Sequence, residues 1–415
     1  SILRTAFNWQ NLDEPVQVVL RQVELPWQQY DWRGLSSSEQ TQQLEKFKIS
    51  DRQAGFNLSV APVMRLTLIQ VTDDSHYFIW SHHHILMDGW AAALLLKEVF
   101  EIYQATSRGE KLNLQPARTY RNYIAWLQKQ DMRPAEVFWR RMLQGFTAPT
   151  AVLPKYQTSN PDGSYKLQKI RLSTNISSAL QTLARQHQLT LNTLVQGTWA
   201  LLLSHYSDRL DVVFGATVSG RPATLEGSES MVGLFINTLP VRVQVVPDKL
   251  LLSWLQQVQN LQVEARQYEH TSLVQIHKWS DMPQHLPLFE SIVVFQNYPL
   301  APSLRQGFTD LKLGNVRSAV SRNNYPLTLR VRIEAEWLLQ ILYSGDRFEA
   351  TTITQLFKQL ETLLQKIIEQ PATKLSELLA ILAADEKQQQ QQKEKELATT
   401  SLHKLKFTKR KAISG

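Results

Sequence analysis

The chain has 415 residues, which is enough for two domains of ordinary size, and 43% of them are hydrophobic, as is typical of a globular protein. It has no cysteine, so disulfides and thiolate metal sites are excluded. The net charge is +8, but the last fifteen residues contain five basic side chains and no acid. The rest of the chain is therefore only mildly basic, and we expect no nucleic-acid partner.

Hydrophobic periodicity in the first part of the chain predicts strands followed by helices. Strands are expected at residues 16–25, 63–71 and 77–81, and helices at residues 91–103, 120–130 and 134–143. A stretch rich in Pro, Thr, Ser, Asn and Gly at residues 148–164 is the clearest break in the chain. We therefore expect a first lobe at residues 1–155.

The same mixture of elements recurs after the break. Strands are expected at residues 165–172, 212–218, 239–246, 291–296, 327–333 and 337–343, with helices at residues 176–188, 191–206, 251–268 and 352–369. Strands and helices that alternate in both halves predict an α+β protein with two lobes of similar size. The second lobe is expected at residues 156–384.

Residues 385–415 differ in composition from the rest of the chain. Five consecutive glutamines precede a basic block from Lys404 to Lys411, which predicts a solvated linker tail. Truncation after Ala384 is therefore expected to leave the fold intact. No apolar run reaches the roughly 18 residues of a membrane span, and the first five residues lack the features of a signal peptide. We expect a cytoplasmic protein without a membrane partner.

The most informative segment is residues 82–90, which read His-His-His-Ile-Leu-Met-Asp-Gly-Trp. It lies between a predicted strand and a predicted helix, where loops usually carry functional side chains. A histidine titrates near neutral pH and suits proton transfer or hydrogen-bond positioning. Gly89 allows the backbone to turn sharply before the helix. We interpret His83, His84, Asp88 and Gly89, the pattern HHxxxDG, as the catalytic site.

These residues have two other interpretations. A single histidine in an apolar run is usually a core residue. A histidine pair followed by Asp88 could also bind zinc, because imidazole and carboxylate are both zinc ligands. A closed metal site needs further ligands, and the other histidines show no HExxH-like spacing. No metal is therefore predicted.

Residues 83–90 resemble the active-site motif of condensation domains of nonribosomal peptide synthetases, which belong to the chloramphenicol-acetyltransferase-like acyltransferases. The similarity extends in family order from the first residue to about Ala384. The other similar segments are RTAF at 4–7, YRNYIAWL at 120–127, FWRR at 138–141, VSGRP at 218–222, MVGLFINTLP at 231–240 and FQNYP at 295–299.

The resemblance implies two chloramphenicol-acetyltransferase-like lobes in a V shape with a central tunnel. Its partners would be an upstream donor and a downstream acceptor peptidyl carrier protein, with adenylation or other synthetase modules adjacent. The substrates would be carried on 4′-phosphopantetheine, with no cofactor bound directly. The α-amine of the acceptor aminoacyl thioester would attack the donor acyl or peptidyl thioester and form a peptide bond.

By the same resemblance, His84 lies in the middle of the tunnel and orients or deprotonates the amine. An aminoacyl amine has a pKa near 8, so a fair share of it is already the free nucleophile at cellular pH, and thioesters are reactive acyl donors. Much of the acceleration can therefore come from holding the two tethered reactants together. Asp88 is expected to form an ion pair with Arg221 and to fix the loop. The amide of Gly89 is expected to help stabilise the oxyanion.

Three further residues are candidates for contact with substrate in the tunnel: Trp90, Gly233 and Asn237. For Asn237, a structural role as a turn-capping amide is an equal alternative. Ala91 departs from the family, which often has Ser there, so one polar contact is expected to be missing. The family also carries a stretch before the segment matching Arg4, and we expect this piece alone to be less stable or inactive without it.

Residues 85–90 and 233–238 look most similar to the subtype that joins an L-configured donor to an L acceptor. An epimerisation domain would need a catalytic Glu, and Glu229 lies in the right region, but residues 231–240 do not resemble that subgroup. Two alternative functions are a stand-alone acyltransferase acting on a soluble amine or alcohol, and an inactive condensation-like domain that recruits a partner enzyme. An inactive domain is expected to have lost the residue at His84.

Overall fold

The computed structural model describes residues 1–112, 114, 117–152, 164–296, 314, 324–388 and 390–391. The basic block at 404–411, most of the predicted break at 148–164 and residues 297–299 of the FQNYP segment lie outside the described residues. The chain forms two compact units. Of the described residues, the first unit includes Ser1–Gln130 and Ser219–Ile236, and the second includes those of Asp131–Val218, 237–296 and 324–391.

This division differs from the expected boundary at residue 155. The first continuous part of unit 1 ends at Gln130, because the helix that follows packs its buried Phe138 and Trp139 in a core of unit 2. Unit 1 also contains Ser219–Ile236, which we call the inserted segment because the residues before and after it in the sequence belong to unit 2.

The described residues of unit 1 form two small sheets and three α-helices. One sheet pairs β1 with β2 in antiparallel fashion, and the other has the order β3-β4-β5, with β3 parallel and β5 antiparallel to β4. The bounds are β1 Thr5–Asn8, β2 Val16–Val19, β3 Trp27–Asp31, β4 Met64–Gln70, β5 His76–His82, α1 Ser37–Ala54, α2 Gly89–Ser107 and α3 Tyr120–Leu127.

The periodicity of the sequence did not predict β1, β3 or α1, and it made β2 too long. β2 ends at Val19, so the strand expected at residues 16–25 is shorter. β3 is exposed along its whole length and α1 buries no residue, so neither has an apolar face that periodicity can detect. α1 begins with a capping box in which Ser36 and Glu39 exchange hydrogen bonds, and this pair was the available sequence signal.

Unit 2 is built around a six-stranded sheet with the order β6-β11-β10-β9-β7-β8, in which β9 is parallel to both of its neighbours. The strands are β6 Tyr165–Arg171, β7 Asp211–Val218, β8 Asn237–Gln244, β9 Ser291–Gln296, β10 Leu327–Arg332 and β11 Leu338–Ser344. Its described helices include α4 Arg133–Leu143, α5 Thr174–Gln186, α6 Leu191–Ser207, α7 Leu251–Arg266, α8 Leu273–Trp279 and α9 Ala350–Glu369.

The sheet of unit 2 buries both faces. Val212 and Phe214 belong to a large apolar core with α5, α6, α7 and α9, whereas Val213 belongs to a second core with α4 and α8. Alternate residues of a strand point to opposite faces, so the two cores lie on opposite sides of the sheet. The mixed α+β architecture follows from these two units. Among the described residues, no helix has the length and apolar character that a membrane crossing requires.

The end of unit 2 differs from the expected boundary at Ala384, because a helix runs over residues 375–388. Leu375, Leu378 and Leu382 are buried in the larger core. Beyond the expected boundary, the carboxylate of Asp385 accepts hydrogen bonds from Lys358 at 2.8 Å and from the buried amide of Gln359 at 3.2 Å.

We predict that truncation after Ala384 destabilises unit 2 by about 1–3 kcal/mol, because the buried Gln359 amide loses its partner. Truncation after residue 388 is the matched control and should keep the wild-type free energy of unfolding. Denaturant titration of the two shortened chains measures the difference. Equal stability would show that the Asp385 contacts contribute nothing measurable.

Candidate functional site

The motif loop, residues 83–88, is a tight turn between β5 and α2. The amide of His83 donates to the carbonyl of Val63 at 3.1 Å, and the amides of Leu86 and Met87 donate back to the carbonyls of His83 and His84 at 3.1 and 3.3 Å. Leu86 and Met87 are fully buried in the core of unit 1. The loop is therefore anchored by its apolar half, while His83 and His84 remain exposed.

His83 and His84 differ in their local contacts. The Nδ1 atom of His83 accepts a hydrogen bond from the amide of Ile85 at 3.2 Å, which orients that imidazole within the loop. Desolvation, reinforced by the neighbouring His84, lowers the pKa of His83 and favours its neutral form. His84 is exposed at the turn and held through its main chain, so its imidazole is accessible to a substrate.

His82, the last residue of β5, was not singled out from the sequence, although its environment is unusual. Its ring lies 5.0 Å from that of Trp80, and its Nδ1 is buried without a hydrogen-bond partner among the described residues. Burial, with smaller contributions from His84 and His83, lowers the pKa of His82 to about 4. His82 therefore stays neutral at the pH at which the domain is expected to work.

Asp88 is the N-cap of α2 and has little solvent exposure, at 4%. Its Oδ1 accepts from the amide of Ala91 at 2.8 Å, and its Oδ2 accepts from the amide of Phe235 at 3.0 Å. The amide of Asp88 donates to the carbonyl of Gly233 at 3.4 Å. One side chain thus caps the helix and also binds the inserted segment.

Arg221 completes this arrangement from within the inserted segment. Its Nη2 lies 3.3 Å from Oδ1 of Asp88, so the ion pair expected from the sequence is present, with side-chain exposures of only 3% and 4%. Its Nη1 donates to the carbonyl of Met231 at 2.9 Å and to that of Ser228. The guanidinium also lies 4.1 Å from the ring centroid of Phe235.

Burial lowers the pKa of Arg221, and the facing Asp88 carboxylate opposes that effect. An arginine keeps its proton in proteins, so the guanidinium of Arg221 remains charged. A buried pair of charges is stable only when the remaining donors and acceptors find partners. Nη1 and both oxygens of Asp88 have such partners, although the Nε of Arg221 is buried without one among the described residues.

The backbone of the inserted segment at Gly220, next to Arg221, approaches the backbone of the same segment at Phe235 closely. Gly220 has a φ of +61°, and a Cβ there would lie 1.8 Å from the carbonyl oxygen of Phe235, so only glycine fits. A short 3-10 helix, Ser228–Ser230, follows. The indole of Trp90 donates to the carbonyl of Glu229 at 2.9 Å, which ties the first turn of α2 to this helix.

Gly89, expected to supply an oxyanion-binding amide, is the exposed first residue of α2. Asp88 has the extended backbone of an N-cap, and Gly89 does not have a positive φ. The amides of the first helical turn have no carbonyl partner within the helix, and the N-terminus of a helix favours negative charge.

Asn237, at the start of β8 in unit 2, has its amide fully engaged. Its Nδ2 donates to the carbonyls of Glu269 and Thr271 at 2.9 and 2.6 Å, and its Oδ1 accepts from the amide of Thr238 at 2.8 Å. These contacts brace the turn after α7 and support the turn-capping alternative. A substrate would have to compete with these contacts for the Asn237 amide.

A metal site at the motif loop finds no support in the geometry, because both oxygens of Asp88 already accept hydrogen bonds from amides. Over the part of the chain that the structure describes, no group of three or more His, Asp or Glu side chains could hold a metal ion.

Comparison with known proteins identifies the family. The model of the family described as "Condensation domain" matches residues 1–391. The chain belongs to the condensation-domain family. This condensation domain is 43% identical over 391 residues to one of the linear gramicidin synthase proteins of Brevibacillus parabrevis, covering 94% of this chain and 5% of that protein. It is also 33% identical over 390 residues to surfactin synthase subunit 2 of Bacillus subtilis (strain 168), covering 93% of this chain.

The domain spans only 5% to 11% of the length of these two synthetase proteins. Family membership confirms that it is an enzyme of the acyl-transferring condensation class, as the HHxxxDG motif predicted.

Solved structures confirm the mixed α+β fold. A four-domain nonribosomal peptide synthetase bound to AMP and glycine matches with a TM-score of 0.74 at 21% identity, over 91% of this chain and 29% of that one. The first condensation domain of the calcium-dependent antibiotic synthetase, in complex with a substrate analogue, matches with a TM-score of 0.73 at 16% identity, over 91% and 86%. The X-domain from teicoplanin biosynthesis in complex with OxyB matches with a TM-score of 0.73 at 20% identity, over 91% and 84%.

We predict that Asp88→Ala lowers the free energy of unfolding of unit 1 by about 3–5 kcal/mol, because it leaves the buried Arg221 without a counter-charge. Asp88→Ala combined with Arg221→Met should cost less than the sum of the two single changes. Urea unfolding of the four proteins measures the coupling. Glu136→Ala breaks the exposed pair with Arg140 and, as a control, should cost about 0.5 kcal/mol or less. Strictly additive losses would contradict the buried ion pair.

We also predict a pH dependence of stability from His82. Between its usual pKa of 6.5 and its folded value of about 4, the unfolded chain binds a proton that the folded chain does not. Stability due to neutral His82 is therefore present above pH 6.5 and is lost as the pH falls towards 4, by up to about 3 kcal/mol. His82→Gln should lack this component. Parallel stability curves for wild type and variant would contradict a buried neutral imidazole.

Proposed function

We propose that this condensation domain forms a peptide bond between a donor acyl or peptidyl thioester and the α-amine of an acceptor aminoacyl thioester. The observation that carries the proposal is the accessible His84 on a loop that Asp88 and Arg221 hold by buried contacts. An imidazole fixed in this way can orient an amine without the cost of ordering a flexible loop during the reaction.

The reaction needs little activation of either reactant. The free amine nitrogen attacks the thioester carbonyl, the carbonyl oxygen takes up negative charge, and the carbon–sulfur bond then breaks. His84 hydrogen-bonds to the amine and accepts a proton as the carbon–nitrogen bond forms, and the thiolate leaving group is protonated in turn. The net result is one amide and one thiol from one thioester and one amine.

The amide of Gly89 is the proposed donor to the developing oxyanion. It is exposed at the start of α2, and it follows His84 by five positions in the chain. A donor that is already oriented in the free enzyme stabilises developing charge without reorganisation. His83, whose Nδ1 accepts from the amide of Ile85, is proposed to shape the loop rather than to contact the substrate.

The substrates are proposed to arrive as thioesters on the 4′-phosphopantetheine arms of a donor and an acceptor carrier protein. The relatives support this, because they are components of the synthases of gramicidin and surfactin, of which the domain covers a small part. Adjacent adenylation or other synthetase modules are proposed partners on the same ground. The joining of an L donor to an L acceptor and a cytoplasmic location remain predictions.

The match to an X-domain in complex with OxyB, at 20% identity, is a likeness of fold and does not favour the inactive-domain alternative. The accessible His84 argues against it, because a domain that only recruits a partner has no need of an exposed imidazole here. A stand-alone acyltransferase would turn over with a free amine acceptor. Strict dependence on two loaded carrier proteins separates the assembly-line function from that alternative.

We predict that His84→Ala lowers the rate of peptide-bond formation between two loaded carrier proteins by roughly 10²–10⁴-fold. Its melting temperature should stay near that of the wild type, because His84 is exposed. His76→Ala, which removes the exposed histidine at the opposite end of β5, is the matched control and should keep the wild-type rate. A wild-type rate for His84→Ala would exclude the proposed role.

A further inference from the structure

Tyr120, the first residue of α3, contacts the inserted segment with both its hydroxyl and its ring. The hydroxyl donates to the carbonyl of Leu234 at 2.5 Å. The ring meets that of Phe235 edge to face, with centroids 5.2 Å apart. Burial raises the pKa of the Tyr120 phenol, so the hydroxyl keeps its proton and remains a donor.

The Tyr120 ring occupies the space that a side chain at position 233 would need. A Cβ on Gly233 would lie 2.1 Å from Cδ2 and 2.6 Å from Cε2 of Tyr120, so an alanine there must displace the ring or the backbone. Gly233 was expected from the sequence to contact substrate. The structure shows in addition that the Tyr120 ring crowds this position.

The backbone that Tyr120 contacts is also the backbone that holds Asp88. The carbonyl of Gly233 accepts from the amide of Asp88 at 3.4 Å, and the amide of Phe235 donates to the Asp88 carboxylate at 3.0 Å. The carbonyl of Leu234, between these two groups, accepts from Tyr120. Gly233 and Phe235 are therefore bound by the motif loop, and Leu234 between them is bound by α3.

We propose that Tyr120 is a positioning residue for peptide-bond formation, which holds residues 233–235 so that Asp88 keeps the motif loop and His84 in place. The inference rests on the function proposed above. It differs from simple core packing in one respect: a shift of residues 233–235 must change the position of His84, and not only the stability of unit 1.

The test perturbs the contact from both sides. Gly233→Ala should lower kcat at saturating carrier proteins by roughly tenfold to a hundredfold, with KM for both carriers unchanged, because small displacements of catalytic groups cost that much. Tyr120→Phe keeps the ring and removes only the hydroxyl that binds the Leu234 carbonyl, and it should also lower kcat with KM unchanged. A wild-type kcat in either variant would overturn the proposal.

Gly197→Ala in α6 of unit 2 is the matched control. Its Cβ would lie 2.4 Å from Cδ2 of Leu255, a crowding similar to that at Gly233 but in the core of the other unit. It should lower the melting temperature and leave kcat unchanged. If Gly233→Ala behaves in the same way as Gly197→Ala, Tyr120 only packs the core and the proposal fails.

A second measurement separates this inference from the proposed function. NMR of histidine-labelled protein reports the imidazole of His84 whether or not the domain forms peptide bonds. The His84 signal should shift in Gly233→Ala and in Tyr120→Phe, and stay at its wild-type position in Gly197→Ala. An unmoved His84 signal in the first two variants would overturn the inference, whereas inactivity of the wild type with shifted signals would count against the proposed function alone.

Discussion

The buried carboxylate of Asp88 is the constraint on which the site depends. It accepts from the amide of Ala91 at the start of α2, from the amide of Phe235 in the inserted segment and from the guanidinium of Arg221. Removing a carboxylate from water costs free energy, which only a full set of charge-assisted hydrogen bonds offsets. Because a single side chain makes these contacts, the helix, the inserted segment and the motif loop are fixed together.

This arrangement explains how an exposed histidine can have a defined position. Surface side chains are usually free to change rotamer, but the main chain around His84 is held by Leu86 and Met87 in the core and by Asp88 on the far side of the turn. The backbone of the motif loop is therefore ordered, while the imidazole of His84 is accessible to solvent. Catalysis by orientation requires that combination, since a loosely held base loses the entropic advantage of a tethered reaction.

Much of the fold could be predicted from the sequence, because α4, α5 and α9 each bury one apolar face and several strands of unit 2 are short, largely apolar runs. α1 and β3 could not, since neither has an apolar face. At the site, the resemblance supplied the pairing of Asp88 with Arg221. It did not supply the contacts of Asn237 with Glu269 and Thr271, or of Tyr120 with Gly233, because these join residues distant in the chain and leave no local pattern.

Amide hydrogen exchange tests directly whether one carboxylate joins the motif loop to the inserted segment. The amides of Ala91 and Phe235 both donate to Asp88, so both should be strongly protected in the wild type. They should lose protection together in Arg221→Met, where the carboxylate loses its counter-charge. A Phe235 amide that exchanges at the rate of an open peptide, while Ala91 stays protected, would show that Asp88 caps α2 only and would contradict the account.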